Sequence, residues 1–318
     1  MGPPWRDQSS KRRRDCMRPS TFFRNIAFGL AMTLSMAATF ASDDKDKDDE
    51  DADEAVPLES LPHYLQDRRG GVPTSLASTY VREGELLLSL QFLYNRDNEF
   101  EYDPNEFGFT SPGEFKGNYW DSSADVLVAF GLSNDLVLEL EAAATRASLK
   151  KADEDLSGMP NELKESGLGD VRTRLDWRVL EETEHRPEVF TYVGALIPHD
   201  KSKQLIGTGD LLGIAGAGVV RGYDWGTMTF RMGVEYDFGS ASEIDWGEVA
   251  VEYLKRLSPI MTVYGAVAVL EGDEYSLVGE LQWHLSPNVV LKLNSGVGLT
   301  SHGMDWSPKI GVLFNFPD

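Results

Sequence analysis

Lys309-Ile310-Gly311-Val312-Leu313-Phe314-Asn315-Phe316 decides how the rest of this 318-residue chain is read. Ile310, Val312, Phe314 and Phe316 fall on one face of an extended strand at period two, and Lys309, Gly311 and Asn315 fall on the other. An edge strand of a soluble sandwich also alternates in this way. The distinguishing observation is that the same alternation recurs back to about residue 84, in segments long enough to cross a bilayer at a tilt.

About twelve strand candidates follow: 84–96, 117–131, 135–148, 167–180, 188–198, 209–222, 226–238, 246–257, 261–271, 274–285, 289–300 and 306–316. They predict an all-β, antiparallel, up-and-down transmembrane barrel occupying residues 84–318, with both strand ends of the set on the periplasmic side. The connections support this. Leu132–Asp135, Glu181–Pro187, Tyr223–Trp225, Leu257–Ile260 and Ser286–Asn288 are short and rich in turn-formers, whereas 97–116, 149–166 and 199–208 are long, polar and carry glycine or proline. The tight Glu271-Gly272-Asp273 connection is the exception.

Strand faces assign the lumen. Met228, Phe230, Met232, Val234, Tyr236 and Phe238 alternate with Thr227, Thr229, Arg231, Gly233, Glu235 and Asp237, and Val171, Leu175, Trp177 and Val179 alternate with Asp170, Arg172, Arg174, Asp176 and Arg178. An Arg or Lys facing lipid at mid-depth costs about 2–4 kcal/mol, so the charged set faces inward. Trp177, Trp225, Trp283, Tyr236, Phe238, Trp246 and Tyr275 lie near strand ends, where interfacial aromatic girdles form.

Upstream of the strands, Arg18 and Arg24 precede a mostly apolar run from Asn25 to Phe40 that ends in Thr39-Phe40-Ala41, the pattern of a secretory signal cleaved after Ala41. Residues 1–41 are therefore expected to be a signal peptide, Met17 being an alternative start and an inner-membrane anchor the alternative reading. Loss of 1–41 removes seven basic and two acidic residues, moves the formal charge from −22 to −27 and takes away the single cysteine, Cys16. A chain so acidic does not bind nucleic acid through its net field, and without cysteine it forms no disulfide or thiolate metal site. Residues 42–83 read as a leader and linker: a self-repelling acidic run at 42–54, then a segment punctuated by Pro57, Pro62, Gly70, Gly71 and Pro73. The acidic run lacks the ligand order, central glycine and closing glutamate of an EF-hand.

The terminal strand resembles the C-terminal signal strand of bacterial outer-membrane barrels. The resemblance implies outer-membrane lipid as surroundings and recognition by the β-barrel assembly machinery through Lys309, Gly311, Phe314 and Phe316. Gly167-Leu168-Gly169-Asp170-Val171 and Gly131-Leu132-Ser133-Asn134-Asp135-Leu136 resemble the outer-membrane family associated with meta-pathway phenol degradation, which implies an uptake barrel for aromatic compounds over residues 84 to the end. Gly167, Gly169 and Asp170 carry over as structural residues at a strand start.

The lumen-lining candidates are Arg172, Arg174, Asp176, Arg178, Arg231, Glu235, Glu280 and Lys292. Mixed charge of this kind lines a water-filled channel and biases its ion preference, or knits a closed lumen through cross-strand pairs. The Arg172, Arg174 and Arg178 ladder is the best candidate for holding a carboxylate or phosphate, unless Asp170, Asp176 and nearby glutamates already pair with it. The expected function is passage of small solutes across the bacterial outer membrane. A non-conducting structural or partner-binding barrel is the alternative, and an outer-membrane lipid hydrolase a weaker one, resting on His284-Leu285-Ser286. No catalytic residue, metal site or cofactor is expected; His63, His185, His199, His284 and His302 are scattered.

Overall fold

The computed structural model describes residues 60–317, apart from Arg69, Pro112, Lys201, 240–243, 271–273 and 301–303. The expected signal peptide and acidic run lie outside the described residues. Alternation at period two over long segments yields twelve antiparallel strands: β1 Leu86–Tyr102, β2 Phe115–Ser133, β3 Leu136–Lys150, β4 in two pieces (Glu162–Leu168 and Val171–Leu180), β5 Glu188–Ile197, β6 Leu212–Tyr223, β7 Gly226–Asp237, β8 Ile244–Ser258, β9 Met261–Leu270, β10 Glu274–Ser286, β11 Val289–Gly298 and β12 Ser307–Phe316. Each pairs with its neighbours in sequence. β12 returns to β1, with Phe316 opposite Leu86 and Lys309 opposite Leu93, so the sheet closes and leaves no edge through the membrane.

The outward face is an apolar belt. Leu90, Phe92, Phe230, Met232, Val251, Val267, Leu277, Leu293 and Ile310 are all exposed on it. Trp177, Trp225 and Trp283 ring the short-turn end, and Tyr236, Phe238, Trp246 and Tyr275 the other. From Trp225 to Tyr236 the chain climbs about 28 Å, taking ~3.3 Å per residue and a tilt of ~40°. That is the height of an apolar band of about 25 Å with its flanking girdles.

The strands reach further on the long-loop side than their alternation predicts. β1 continues to Tyr102, β2 starts at Phe115, β3 runs to Lys150 and β4 begins at Glu162, so the connections shorten to 103–114 and 151–161. In β1 a bulge between Asp97 and Phe100 resets the pairing with β2 and turns Phe100 and Tyr102 inward.

β4 breaks at Gly169-Asp170. Both pieces pair with β3, Lys150 to Ala144 facing Glu162 to Leu168 and Glu141 to Leu136 facing Arg172 to Trp177. Gly167 adopts φ +142°, a conformation that a side chain would strain. β5 ends at Ile197 opposite Val171, so among the described residues the upper piece of β4 has no strand on its far side.

Candidate functional site

The lumen is occupied in three zones of different chemistry. At the short-turn end, the composition of residues 60–83 reads as a linker, yet the segment lies inside the barrel. A single turn of 3-10 helix, His63–Leu65, leads to a two-residue hairpin in which Val72 and Pro73 pair with Val81 and Tyr80. Gly71 has φ +96°, and a Cβ there would come 2.9 Å from the Val81 carbonyl oxygen, so the turn requires glycine. Val72 and Val81 are fully buried against Leu87, Leu127, Ala129, Val137, Val290 and Leu313, from β1, β2, β3, β11 and β12. Ala77 and Tyr80 pack on Leu254, Tyr264, Ala266 and Val278, from β8, β9 and β10. The segment thus touches the wall almost all the way round, as a plug does.

Polar contacts fix its position. The Arg68 guanidinium is fully buried, pairs with Glu188 at 2.8 Å and with Glu182, and lies 5.7 Å from the centre of the Tyr80 ring. Burial pushes the Glu182 carboxyl in the β4–β5 turn up, against the opposing pull of the Gly222 N–H, Arg68 and Arg221. Asp67 accepts the Arg256 N–H at 2.9 Å, and Glu139 accepts the Ser75 N–H at 2.8 Å.

Lys292 donates to the Ala77 carbonyl at 2.7 Å and pairs with Glu280 at 3.0 Å; Glu280 also accepts from Ser78, Gln282 and Asn294. Arg178 reaches the Gly71 carbonyl at 3.4 Å, Asp135 at 2.9 Å and Glu188 at 3.9 Å. Three of the lumen-lining candidates, Arg178, Glu280 and Lys292, therefore hold the plug segment.

The other candidates lie higher. Arg172 pairs with Glu141 of β3 at 3.2 Å. Arg174 binds Asp176 through Nε at 2.8 Å and lies 3.8 Å from the centre of the Tyr192 ring. Tyr192 and Phe190 of β5 lie over Gly216 and Gly218 of β6, where a Cβ would meet each ring at 2.3 Å. Arg231 of β7 spans Glu248 at 3.2 Å and Glu252 at 2.8 Å on β8. Glu235, half-buried, faces Asp245 of β8 and Ile214 of β6 toward the outer end. The arginines do not form one continuous row: each is matched by acids on its own or a neighbouring strand.

Between Ser75 and Leu76 of the plug and these charges lies a small cavity of about 50 Å³, bounded by Glu141, Arg172, Arg231, Glu248, Tyr264 and Lys309 among others.

The outer zone is apolar. Phe100, Tyr102, Tyr119, Ala147, Leu149 and Met159 cluster with Leu205 and Ile206 of the 198–211 connection, and Phe100 stacks on Tyr119 with ring centres 4.7 Å apart. Asp170, at the break in β4, anchors that connection by accepting the Thr208 N–H at 2.7 Å, the Thr208 hydroxyl at 2.8 Å and the His199 N–H at 3.3 Å. Glu165 accepts the Leu205 N–H at 2.8 Å, and Lys203 donates to the Ser166 carbonyl at 3.0 Å. Sequence reasoning recognised Asp170 as structural but not as the anchor of a segment 29 to 38 residues downstream. It missed Arg68, Glu182 and Glu165, whose partners lie from about 40 to 120 residues away; the only local signal was the Arg68-Arg69 pair in an otherwise linker-like stretch.

His284 Nε2 lies 3.0 Å from the Thr262 hydroxyl, while the Ser286 hydroxyl accepts the Asn288 N–H in the following turn. Among the described residues, no group of three His, Cys, Asp or Glu side chains is placed to hold a metal ion, and no helix is long and apolar enough to cross a membrane.

No family model matches the chain, and no curated protein matches it. Solved structures do. The COG4313 outer membrane channel from Pseudomonas putida F1 aligns with a TM-score of 0.56 at 10% identity, covering 74% of this chain and 97% of that one. The translocator domain of the autotransporter NalP from Neisseria meningitidis aligns at 0.44 and 11% identity, covering 73% and 88%. The first likeness, together with the closed sheet and its apolar belt, establishes the fold as that of a bacterial outer-membrane β-barrel.

Proposed function

We propose that this protein is an outer-membrane uptake channel for small solutes, with residues 60–83 as a resident plug at the short-turn, periplasmic end of the lumen. The observation that carries the reading is the way the lumen is filled. Side chains of the wall fill a barrel of about eight strands, and a twelve-stranded one is wider. Here closure comes instead from two segments that belong to no strand of the barrel sheet and are held on its inner wall by side-chain contacts. Segments attached in this way separate from the wall without breaking a strand ladder.

Aromatic or similarly apolar solutes are the class we assign, in keeping with the meta-pathway phenol-degradation resemblance of the 131–136 and 167–171 motifs and with the apolar outer zone. Asp170, a residue of that resemblance, anchors the outer segment. The signal peptide at 1–41 and recognition of β12 by the barrel assembly machinery belong to the same proposal. On β12, Phe314 and Phe316 lie on the belt side and Gly311 on the lumen side.

The test is conductance in a planar bilayer, with and without residues 60–83, alongside uptake of toluene into proteoliposomes. Discrete steps that become frequent on deletion of 60–83 support a plugged channel. Silence in both forms, from protein shown to be folded by its heat-dependent gel mobility, together with no toluene uptake, favours the non-conducting structural barrel instead.

A further inference from the structure

The apolar outer zone is out of character with the lumen beneath it. From Glu141 to Lys292 the inward wall is charged and paired, yet beyond Asp121 and Asp97 it becomes Phe100, Tyr102, Tyr119 and Leu149, all almost fully buried. Apolar side chains facing a wet lumen lose the hydrophobic contribution that burial would bring. The chain keeps this wall dry by laying Leu205 and Ile206, 1% and 0% exposed, across it. These two side chains belong to no strand. Their segment is held by Asp170, Glu165 and Ser166 on β4, where β4 has no strand partner among the described residues, and by the Tyr119 hydroxyl of β2, which donates to the Leu205 carbonyl at 3.3 Å.

We infer that the Phe100–Tyr119 wall is a binding site for a small uncharged apolar or monoaromatic solute, and that Leu205 and Ile206 occupy it as an internal surrogate when no solute is present. Two aliphatic side chains against a stacked aromatic pair fill a space of the size and polarity that one substituted benzene ring takes. Exchange replaces apolar contact with apolar contact, so it costs little hydrophobic free energy. What it does cost is the set of hydrogen bonds that Asp170 and Glu165 accept, most of them made at the water-facing end of the barrel, where water replaces them. A carboxylate solute is disfavoured there, because Asp97, opposite Tyr119 in the ladder, and Asp121, on the same face of β2, stand beside the pair. The inference deepens the uptake reading and rests on it only for the claim that the solute then moves inward.

Leu205→Cys tests it, in a protein whose sole natural cysteine is Cys16. Closed, the thiol is buried and reacts slowly with a membrane-impermeant maleimide; displaced by solute, it is exposed. Dissolved toluene is expected to raise the labelling rate about tenfold or more, the shift produced by a ligand with that differential affinity for the displaced state. Benzoate at equal concentration leaves the rate unchanged, as does toluene at a Leu156→Cys control, a position 93% exposed throughout. Slow labelling indifferent to toluene, in folded protein, overturns the inference and makes Leu205–Ile206 a fixed structural filling. Fast labelling without toluene overturns it as well, because the site is then not occupied by the surrogate. The uptake reading is judged separately: toluene entering proteoliposomes while Leu205→Cys stays protected refutes this site but not transport, and accelerated labelling without uptake refutes transport but not the site.

Discussion

Replacing Arg68 by alanine separates plug docking from barrel folding. The Arg68 guanidinium bridges Glu182 and Glu188, and all three side chains are at most 1% exposed. Removing one partner of a buried charge network costs about 3–5 kcal/mol, because the remaining charges stay buried without compensation. Here Arg221, 3.4 Å from Glu182, and Arg178, 3.9 Å from Glu188, supply part of the missing charge, which places the cost near the lower end, about 3 kcal/mol.

None of the strand ladders includes Arg68, so this loss falls on the equilibrium between docked and released plug. At about 1.4 kcal/mol per factor of ten, the released population rises roughly a hundredfold. Single-channel recording reads this as a comparable rise in the frequency of open events, with the unit conductance of protein lacking residues 60–83.

The acid side carries a second sign. Burial already raises the Glu182 carboxyl above its ordinary range, and Arg68 is one of the groups opposing that rise. Without Arg68 the docked state binds protons more readily than the released state, so docking in the variant strengthens as pH falls and is lost as pH rises through the docked value. Neutralising the whole network, with Arg68→Met, Glu182→Gln and Glu188→Gln together, leaves no buried charge uncompensated and returns the channel toward the closed state. Open-event frequency unchanged in folded Arg68→Ala refutes the assignment of Arg68 as the plug's anchor. Equal opening in the neutral triple variant refutes the electrostatic reason for it.

Three further outcomes follow from the same geometry. In protein lacking residues 60–83, Arg172→Ala with Arg174→Ala leaves Glu141 and Asp176 facing the lumen without those partners, so the reversal potential across a salt gradient shifts toward cation selectivity; no shift refutes the role of this pair in ion preference. Gly222→Ala puts a Cβ 2.1 Å from the Tyr64 carbonyl oxygen, a clash with backbone rather than with a flexible side chain. Trypsin cleavage after Arg68, which samples the released plug, is expected to accelerate in that variant while the strands stay protected. Asp170→Ala deletes the acceptor for Thr208 and His199 at a cost of about 1–3 kcal/mol, and amide exchange at Thr208 and Leu205 is expected to quicken by one to two orders of magnitude, at about 1.4 kcal/mol per factor of ten. Exchange no faster than in the wild type places the anchor elsewhere.

The strands were legible because lipid outside and charge inside impose period two over ten or more residues, as in Met228 to Phe238. The plug was not, and the cause lies in its composition. Val72, Leu76, Ala77, Tyr80 and Val81 are scattered among Gly70, Gly71, Pro73, Ser75, Ser78 and Thr79 at no regular period, and their burial comes from strands that close around them. Arg68 finds partners more than 110 residues away, a pairing that no local spacing encodes. The outer zone was hidden by a different mechanism. Phe100 and Tyr102 share even parity with Leu86, Leu88, Leu90 and Phe92, so extrapolated alternation points them at lipid; the bulge after Asp97 turns them into the lumen. Asp170 shows the intermediate case, its strand break written locally in Gly167 and Gly169 and its three donors supplied by a connection that begins after β5.

The two closures differ in what opens them. The inner one is fixed by buried charge pairs over an apolar seat, so it yields to removal of a charge. The outer one is fixed by apolar contact and the hydrogen bonds that Asp170 and Glu165 accept, so it yields to an apolar solute and hardly to salt. Set in series, they pass a solute only when both are displaced, and no residue is shared between the Arg68 network and the Asp170 anchor. Independent closures then combine as the product of their released populations. The Arg68→Ala, Asp170→Ala double variant is expected to raise open-event frequency by the product of the two single effects, within about 0.5 kcal/mol, or little more than a factor of two. A larger excess means that the closures communicate, and the charges lying between them, Arg172 with Glu141 and Arg231 with Glu248, are then the groups through which one release would reach the other.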